Sequence, residues 1–93
     1  MICSFKCKDT ELIWLGIVSR RLPRDIQDIV RRKLRLLNNA QCINDLRIPP
    51  KNRLESLKGL RKGQYSIRVN AQWRLCFIWL DGIVTDVELI DYH

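Results

Sequence analysis

The sequence predicts an α+β domain in which two N-terminal helices pack on a twisted, mainly antiparallel sheet of four to five strands. Between residues 23 and 39, apolar residues recur every three or four positions, which is typical of an amphipathic helix. The second half of the chain contains short apolar runs separated by hairpin-length turns, which indicates antiparallel strands. With 93 residues, the chain is predicted to form one domain, 1–93, because domains usually span about 50 to 200 residues.

Local signals predict the helices. Residues 1–6 alternate weakly and predict a first strand, after which Asp9 or Thr10 can cap a short helix that carries an apolar side over residues 12–17. Pro23 suits the first position of the second helix, because its φ is fixed and its missing N–H would be unpaired there. This helix is expected to end near residues 38–39. Its predicted buried stripe comprises Ile26, Ile29, Val30, Leu34 and Leu37, and its solvent face carries Arg31, Arg32 and Arg35.

The remaining elements are strands separated by turns. A short helical turn is expected within residues 40–50, and Pro49-Pro50 predicts an extended break. Strands are predicted over residues 53–57, 64–69, 72–80 and 83–92.

Asp81-Gly82 is the strongest hairpin signal, because a type I′ turn needs positive φ at both central residues. A two-residue loop pairs Leu80 with Ile83 and Trp79 with Val84. Counting back along the hairpin places Arg74 opposite Leu89 and Gln72 opposite Asp91. Arg74 and Asp91 are therefore predicted to share one face of the sheet.

The charge distribution favours an anionic partner. The chain carries 17 basic and 10 acidic residues, a net charge of +7. All 17 basic residues and six of the acids lie in residues 1–74, which gives +11, whereas residues 75–93 carry −4. Nucleic acid, a membrane surface and an acidic protein all fit this balance.

The cysteines and the apolar runs exclude several classes of protein. The four cysteines form no C-x-x-C and the only histidine is the last residue, so no zinc site is expected. Cys76 lies within an apolar run and is predicted to be a core thiol. The longest apolar run, residues 12–18, is far shorter than the roughly 20 residues that span a bilayer. We therefore expect a cytoplasmic protein with reduced thiols, no cofactor and no membrane partner.

Basic residues crowd the strands and the loop that lead into residues 72–80. A solvated surface is one interpretation, and a phosphate-binding surface is the other, which the charge of +11 over residues 1–74 favours. The loop between Gly59 and Gly63 lacks the Lys-Ser/Thr of a P-loop, so a nucleotide-binding enzyme is not supported. The candidate RNA-binding residues are Lys51, Arg53, Arg61, Lys62 and Arg68.

The C-terminal Asp91-Tyr92-His93 is the candidate catalytic segment. An imidazole titrates near neutrality, with a reference pKa of about 6.5, and can act as a general acid. The alternative is a disordered tail. Glu55 is the candidate base, and its alternative role is a surface ion pair with Arg53 or Lys58. Asp86 and Glu88 suggest a metal nuclease, although alternating acids on an exposed hairpin more often serve solvation.

Several motifs occur in order along the whole chain and resemble one known family. They are Met1-Ile2-x-Ser4-Phe5-Lys6, Leu57-Lys58-Gly59, Arg61-x-Gly63-x-Tyr65-Ser66-Ile67-x-Val69, Trp73-Arg74-x-x-Phe77, Asp81-Gly82 and Asp91-Tyr92-His93. Together they resemble HigB-type toxins of the RelE superfamily, also called plasmid maintenance killer proteins. The resemblance implies a RelE-like fold and a ribosome-dependent endoribonuclease that cleaves mRNA in the A site of the small subunit. It also implies a helix-turn-helix antitoxin of the HigA type, with operator DNA contacted only through that antitoxin.

The resemblance implies a role for each candidate residue. Metal-free attack of the ribose 2′-OH on the adjacent phosphate would give a 2′,3′-cyclic phosphate and a 5′-OH. Lys58 and Arg74 would stabilise the transition-state charge, and His93 would protonate the leaving group or position the phosphate. Tyr92 would stack on a base or orient the backbone, and Asp91 would hold a neighbouring basic group or the histidine.

One departure from the family pattern concerns the general base. HigB toxins commonly have His-Pro before Leu-Lys-Gly, whereas this chain has Glu55-Ser56. YoeB-like toxins of the same superfamily carry a Glu just before their Leu-Lys, so Glu55 is nominated as the base. The missing histidine predicts weakened activity, and the alternative is a non-catalytic module that binds RNA or an antitoxin.

Overall fold

A four-stranded antiparallel sheet forms the centre of the molecule, and two helices cover one of its faces. The computed structural model describes residues 1–57 and 63–91. The strands are β1 (Glu55–Ser56), β2 (Gln64–Arg68), β3 (Trp73–Leu80) and β4 (Ile83–Asp91), in the spatial order β1-β2-β3-β4. The predicted α+β architecture is confirmed, with four strands in the described part of the chain.

The helices differ from the prediction mainly at their starts. Helix α1 spans Lys8–Trp14 and α2 spans Arg24–Asn39, and 3-10 turns follow at Ile43–Arg47 and Pro50–Asn52. The predicted capping of α1 by Asp9 or Thr10 is wrong, because Cys7 is the N-cap and both side chains make tertiary contacts. Asp9 accepts a hydrogen bond from Ser19 Oγ, and Thr10 Oγ1 accepts one from the Leu89 N–H.

The observed starts and ends of the helical segments agree with the prediction at some residues and differ at others. Helix α1 stops before Leu15 and Ile17, which are exposed. Pro23 precedes α2 as its N-cap rather than forming its first turn, and the predicted end near residues 38–39 is confirmed. Pro49 is extended as predicted, but Pro50 begins a 3-10 turn.

Within residues 1–57 and 63–91, no helix is long and apolar enough to cross a membrane.

The core lies between α2 and one face of the sheet. Four residues of the predicted stripe are buried, as expected, and the fifth, Ile29, is half-buried. Gln27 is also buried, and its side chain bonds the backbone of Ser19 in both directions. The prediction that Arg31 points into solvent is wrong, because its Nε donates a hydrogen bond to the Ile13 carbonyl at the end of α1. Cys76 is buried as predicted. The buried apolar residues from α2 and the sheet are Ile26, Val30, Leu34, Leu37, Ile67, Leu75, Phe77, Val84, Val87 and Leu89.

The N-terminal segment lies along β4 without forming the predicted strand. Ile2 and Phe5 make isolated parallel bridges to Val84 and Val87. Between these bridges, the Asp86 N–H donates to the side-chain oxygen of Ser4 instead of to a backbone carbonyl. The ladder is interrupted there, so residues 1–6 cover the outer edge of β4 as an irregular segment.

A β-bulge in β4 decides which side chains share a face. The predicted pairs Leu80↔Ile83 and Trp79↔Val84 are confirmed, but the register shifts between Cys76 and Ile78. Asp86 is the extra residue, with a positive φ of 53°.

The bulge changes the pairing at the far end of the hairpin. Beyond it, Arg74 pairs with Ile90, and Trp73 pairs with Asp91. The predicted partners of Arg74 and Asp91 are therefore wrong. Because successive side chains alternate between faces, Arg74 and Asp91 lie on opposite faces of the sheet.

The positive φ of Asp86 predicts an unusual response to substitution. Asp86→Val should lower the free energy of unfolding by about 1–2 kcal/mol, because a branched Cβ is strained in the left-handed region. Asp86→Gly should change it by less than about 1 kcal/mol. Urea unfolding followed by circular dichroism measures both values, and equal losses for the two variants would contradict the assigned bulge.

Candidate functional site

Arg74 is a buried charged side chain that three hydrogen bonds hold on the sheet. It lies on β3 and is only 8% exposed. Its Nε donates to Ser66 Oγ at 2.8 Å, and its Nη2 donates to the Ser66 carbonyl at 3.2 Å and the Arg53 carbonyl at 2.6 Å. These bonds fix the plane of the guanidinium group while its positive charge is retained.

The backbone at Arg53 is shaped to hold Arg74. Arg53 follows the Pro50–Asn52 turn and has φ 44° and ψ 59°, which is the left-handed region. This conformation is uncommon for a residue other than glycine. The same residue lies immediately before the segment that leads into β1, and its carbonyl accepts the bond from Arg74 Nη2. Arg53 therefore contributes to the site through its backbone.

Glu55 lies next to Arg74. Glu55 pairs with Ser66 across β1 and β2, and its Oε1 is 3.9 Å from Arg74 Nη1. This separation exceeds hydrogen-bond length but is within the range of an ion pair. The Glu55 side chain is 58% exposed, so its carboxylate is open to a ligand. Of the two alternative ion-pair partners of Glu55, Arg53 is wrong, because Arg74 is its partner among residues 1–57 and 63–91, and Lys58 lies outside those residues.

Asp91 is separated from this cluster by the sheet. Asp91 ends β4 and pairs with Trp73, on the face that carries the core. Its Oδ2 accepts a hydrogen bond from Gln72 Nε2 at 3.1 Å. The structure therefore brings Arg74 and Glu55 together and places Asp91 on the other face. Lys58, Arg61, Lys62, Tyr92 and His93, which the sequence also nominates, lie outside the described residues.

A second feature is a groove of about 510 Å³ between α2 and the end of β2, called here the basic groove. It is lined by Ile29, Arg32, Lys33, Leu36, Lys51, Arg68 and Val69. Two predicted RNA-binding residues, Lys51 and Arg68, are thus brought together with two cations of α2. Lys33 Nζ donates to Asn52 Oδ1. Burial, together with the charges of Arg32 and Lys51, lowers the pKa of Lys33.

The described residues offer no metal centre. Within residues 1–57 and 63–91, no group of three or more His, Cys, Asp or Glu side chains could hold a metal ion. Asp86 lies on the bulge, and Glu88 pairs with Lys6 at 3.8 Å.

Comparison with known proteins assigns the chain to a family. Residues 15–93 match the family model described as the RelE-like toxin of the type II toxin–antitoxin system HigB. The chain belongs to this family of HigB-like toxins. It is 50% identical to Toxin HigB-1 of Vibrio cholerae over 70 residues, which cover 75% of this chain and 74% of that protein. It is 34% identical to Endoribonuclease HigB of Proteus vulgaris over 97 aligned residues, which cover 100% of both chains.

Solved structures share the fold of this HigB-like toxin. YafQ from E. coli strain BL21(DE3) superposes with a TM-score of 0.61 and 15% identity, covering 98% of this chain and 91% of that chain. A chain of the YoeB–YefM complex from Staphylococcus aureus superposes with a TM-score of 0.58 and 16% identity, covering 100% of this chain and 98% of that chain. The predicted RelE-like fold is confirmed.

Sequence reasoning missed two side chains near the candidate site of the HigB-like toxin. Ser66 holds Arg74 through both its hydroxyl and its carbonyl. Its position in the Tyr65-Ser66-Ile67 motif was the available signal. Lys33 lines the basic groove, and its only signal was its place on a basic helix, which is equally typical of a solvated face.

Proposed function

We propose that this HigB-like toxin is an endoribonuclease that cleaves mRNA on the ribosome and thereby inhibits translation. The observation that carries the proposal is the cluster of Arg74 and Glu55, in which a fixed cation lies 3.9 Å from an exposed carboxylate. The relative from Proteus vulgaris, aligned over the whole chain, is named an endoribonuclease.

Glu55 is proposed as the general base. Its carboxylate would take the proton of a ribose 2′-OH, and the 2′ oxygen would then attack the adjacent phosphorus. The bond from phosphorus to the 5′ oxygen breaks, and His93 would give a proton to the leaving oxygen. The products are a 2′,3′-cyclic phosphate and a 5′-OH.

Arg74 is proposed to stabilise the negative charge that develops on the phosphate oxygens. A donor that is already oriented needs no reorganisation during the reaction, and three hydrogen bonds orient Arg74. Lys58 would supply a second cation, and Tyr92 would stack on a base. Because Asp91 lies on the opposite face from Arg74, we propose that it acts on His93 rather than on Arg74.

Binding and regulation would involve other surfaces. Lys51, Arg53, Arg61, Lys62 and Arg68 are proposed to neutralise phosphates of the message and of ribosomal RNA. Membership of a toxin–antitoxin family implies an antitoxin partner. We propose a helix-turn-helix antitoxin of the HigA type, which alone contacts operator DNA. Action on ribosomes places the proposed activity in the cytoplasm.

Substitution of Glu55 tests the catalytic proposal. Glu55→Gln should lower the cleavage rate of ribosome-bound mRNA by about 10²-fold, because the amide cannot accept the 2′-OH proton. Quenched reactions on programmed ribosomes, with the ends of the fragments identified, measure this rate. Glu88→Gln is the matched control, since Glu88 lies on β4 and pairs with Lys6.

Toxicity in cells separates the proposal from its alternative. Induced wild-type protein should arrest growth in a strain that lacks the antitoxin, and Glu55→Gln should relieve the arrest. A non-catalytic binding module predicts unchanged toxicity for both Glu55→Gln and His93→Ala. Unchanged toxicity with intact transcripts would exclude the nuclease.

A further inference from the structure

The basic groove is a concentration of positive charge outside the Arg74–Glu55 cluster. Four of its seven lining residues are cations, and none is acidic. Arg32 and Lys33 come from α2, Lys51 comes from the Pro50–Asn52 turn, and Arg68 ends β2. Elements that are distant in sequence therefore bring four positive side chains to one concave surface.

The charges in this groove are poorly compensated by the protein. Lys33 is held by the neutral side chain of Asn52, and Arg68 Nε donates to the Asn70 carbonyl. Burial and the neighbouring cations Arg32 and Lys51 lower the pKa of Lys33. An anion that enters the groove relieves the repulsion between these cations, so its binding lowers the free energy.

The groove adjoins the proposed reaction centre. Arg68 is the direct strand partner of Arg74, and Lys51 precedes by two residues the Arg53 carbonyl that holds Arg74. A nucleic-acid strand with one phosphate at Arg74 can therefore continue past Arg68 into the groove. The apolar lining residues, including Leu36, which is 40% exposed, offer surface for sugars and bases.

We propose that the basic groove binds the phosphate backbone of single-stranded RNA beside the scissile nucleotide, with Lys33 and Lys51 as its principal phosphate ligands. The inference rests on the proposed ribonuclease function, since it continues the substrate path away from Arg74. The proposal extends the RNA-binding surface to α2, whereas none of the RNA-binding residues predicted from the sequence lies on that helix.

Salt-dependent binding of an uncleavable RNA tests the groove. The probe is a fluorescein-labelled 2′-O-methyl oligoribonucleotide, which lacks the attacking hydroxyl, so binding is measured without cleavage. Loss of two phosphate contacts in Lys33→Met/Lys51→Met should reduce the slope of log K against log salt by about 1.4. At 0.1 M salt the same relation gives a loss of about 25-fold in affinity.

The matched control is Arg20→Gln/Arg21→Gln, which removes the same charge from the exposed segment between α1 and α2. It should leave the slope close to that of the wild type. Because Lys33 contacts Asn52, thermal unfolding of each variant is measured in parallel. Lys51→Met alone changes an exposed side chain and should still reduce the slope by about 0.7.

Two outcomes would overturn the inference, and a third would support the groove while rejecting the proposed nuclease function. Equal slopes for the groove and control variants would overturn it. RNA binding that survives in the groove variant, while binding of poly-L-glutamate is lost, would make the groove a site for an acidic protein and would also overturn it. Groove-dependent RNA binding by a protein that leaves ribosome-bound mRNA intact would support the groove and reject the nuclease.

Discussion

Arg74→Ala is expected to lower the rate of mRNA cleavage by about 10³-fold. The substitution removes the only guanidinium that the described residues bring to Glu55, and with it the proposed stabilisation of the phosphate charge. Arg74→Lys keeps a positive charge but cannot reproduce the bonds of Nε and Nη2 to Ser66 and Arg53. We therefore expect a loss of about 10²-fold for the lysine variant. Single-turnover cleavage on programmed ribosomes measures both rates.

A control must separate lost chemistry from a lost fold, because Arg74 is buried. Arg35→Ala removes an arginine that is exposed on α2, and it should cleave at the wild-type rate. Circular dichroism and thermal unfolding of Arg74→Lys should show a folded protein. A folded Arg74→Lys that cleaves as fast as the wild type would contradict the assigned role of Arg74.

The sequence predicted the fold well where local signals decide it. The period of α2 and the Asp81-Gly82 turn depend on residues close in the chain, and both are confirmed. The bulge at Asp86 could not be predicted, because Thr85, Asp86 and Val87 read as ordinary strand residues. Asp86 has a left-handed backbone at the point where its N–H donates a hydrogen bond to Ser4 Oγ, 82 residues away in the chain. A contact of such separation leaves no local pattern.

The site shows the same limit. The sequence nominated Arg74 and Glu55 separately, but their approach depends on β1 pairing with β2 and β2 with β3. The predicted face shared by Arg74 and Asp91 was wrong because the register count assumed a regular hairpin. Lys33 was overlooked because the fold of residues 50–52, which brings Asn52 and Lys51 to α2, follows from tertiary packing.

Phe77→Ala is expected to lower the free energy of unfolding by about 3–5 kcal/mol. Phe77 is 1% exposed, belongs to the core that β3 shares with α2, and stacks on Tyr65 with ring centroids 6.3 Å apart. Its removal costs the transfer free energy of the ring and leaves a cavity that the strands on either side cannot close. Small proteins are stable by only about 5–15 kcal/mol, so this loss would unfold a large part of the population on mild heating.

Leu80→Ala on the same strand is the matched control. Leu80 is 68% exposed, so its truncation should cost less than about 0.5 kcal/mol. Urea unfolding gives both values, and a loss below about 1 kcal/mol for Phe77→Ala would contradict the assigned core. Because Arg74 and Phe77 lie on opposite faces of β3, their variants should also fail differently. Arg74→Lys should fold and cleave slowly, whereas Phe77→Ala should cleave normally in the fraction that remains folded.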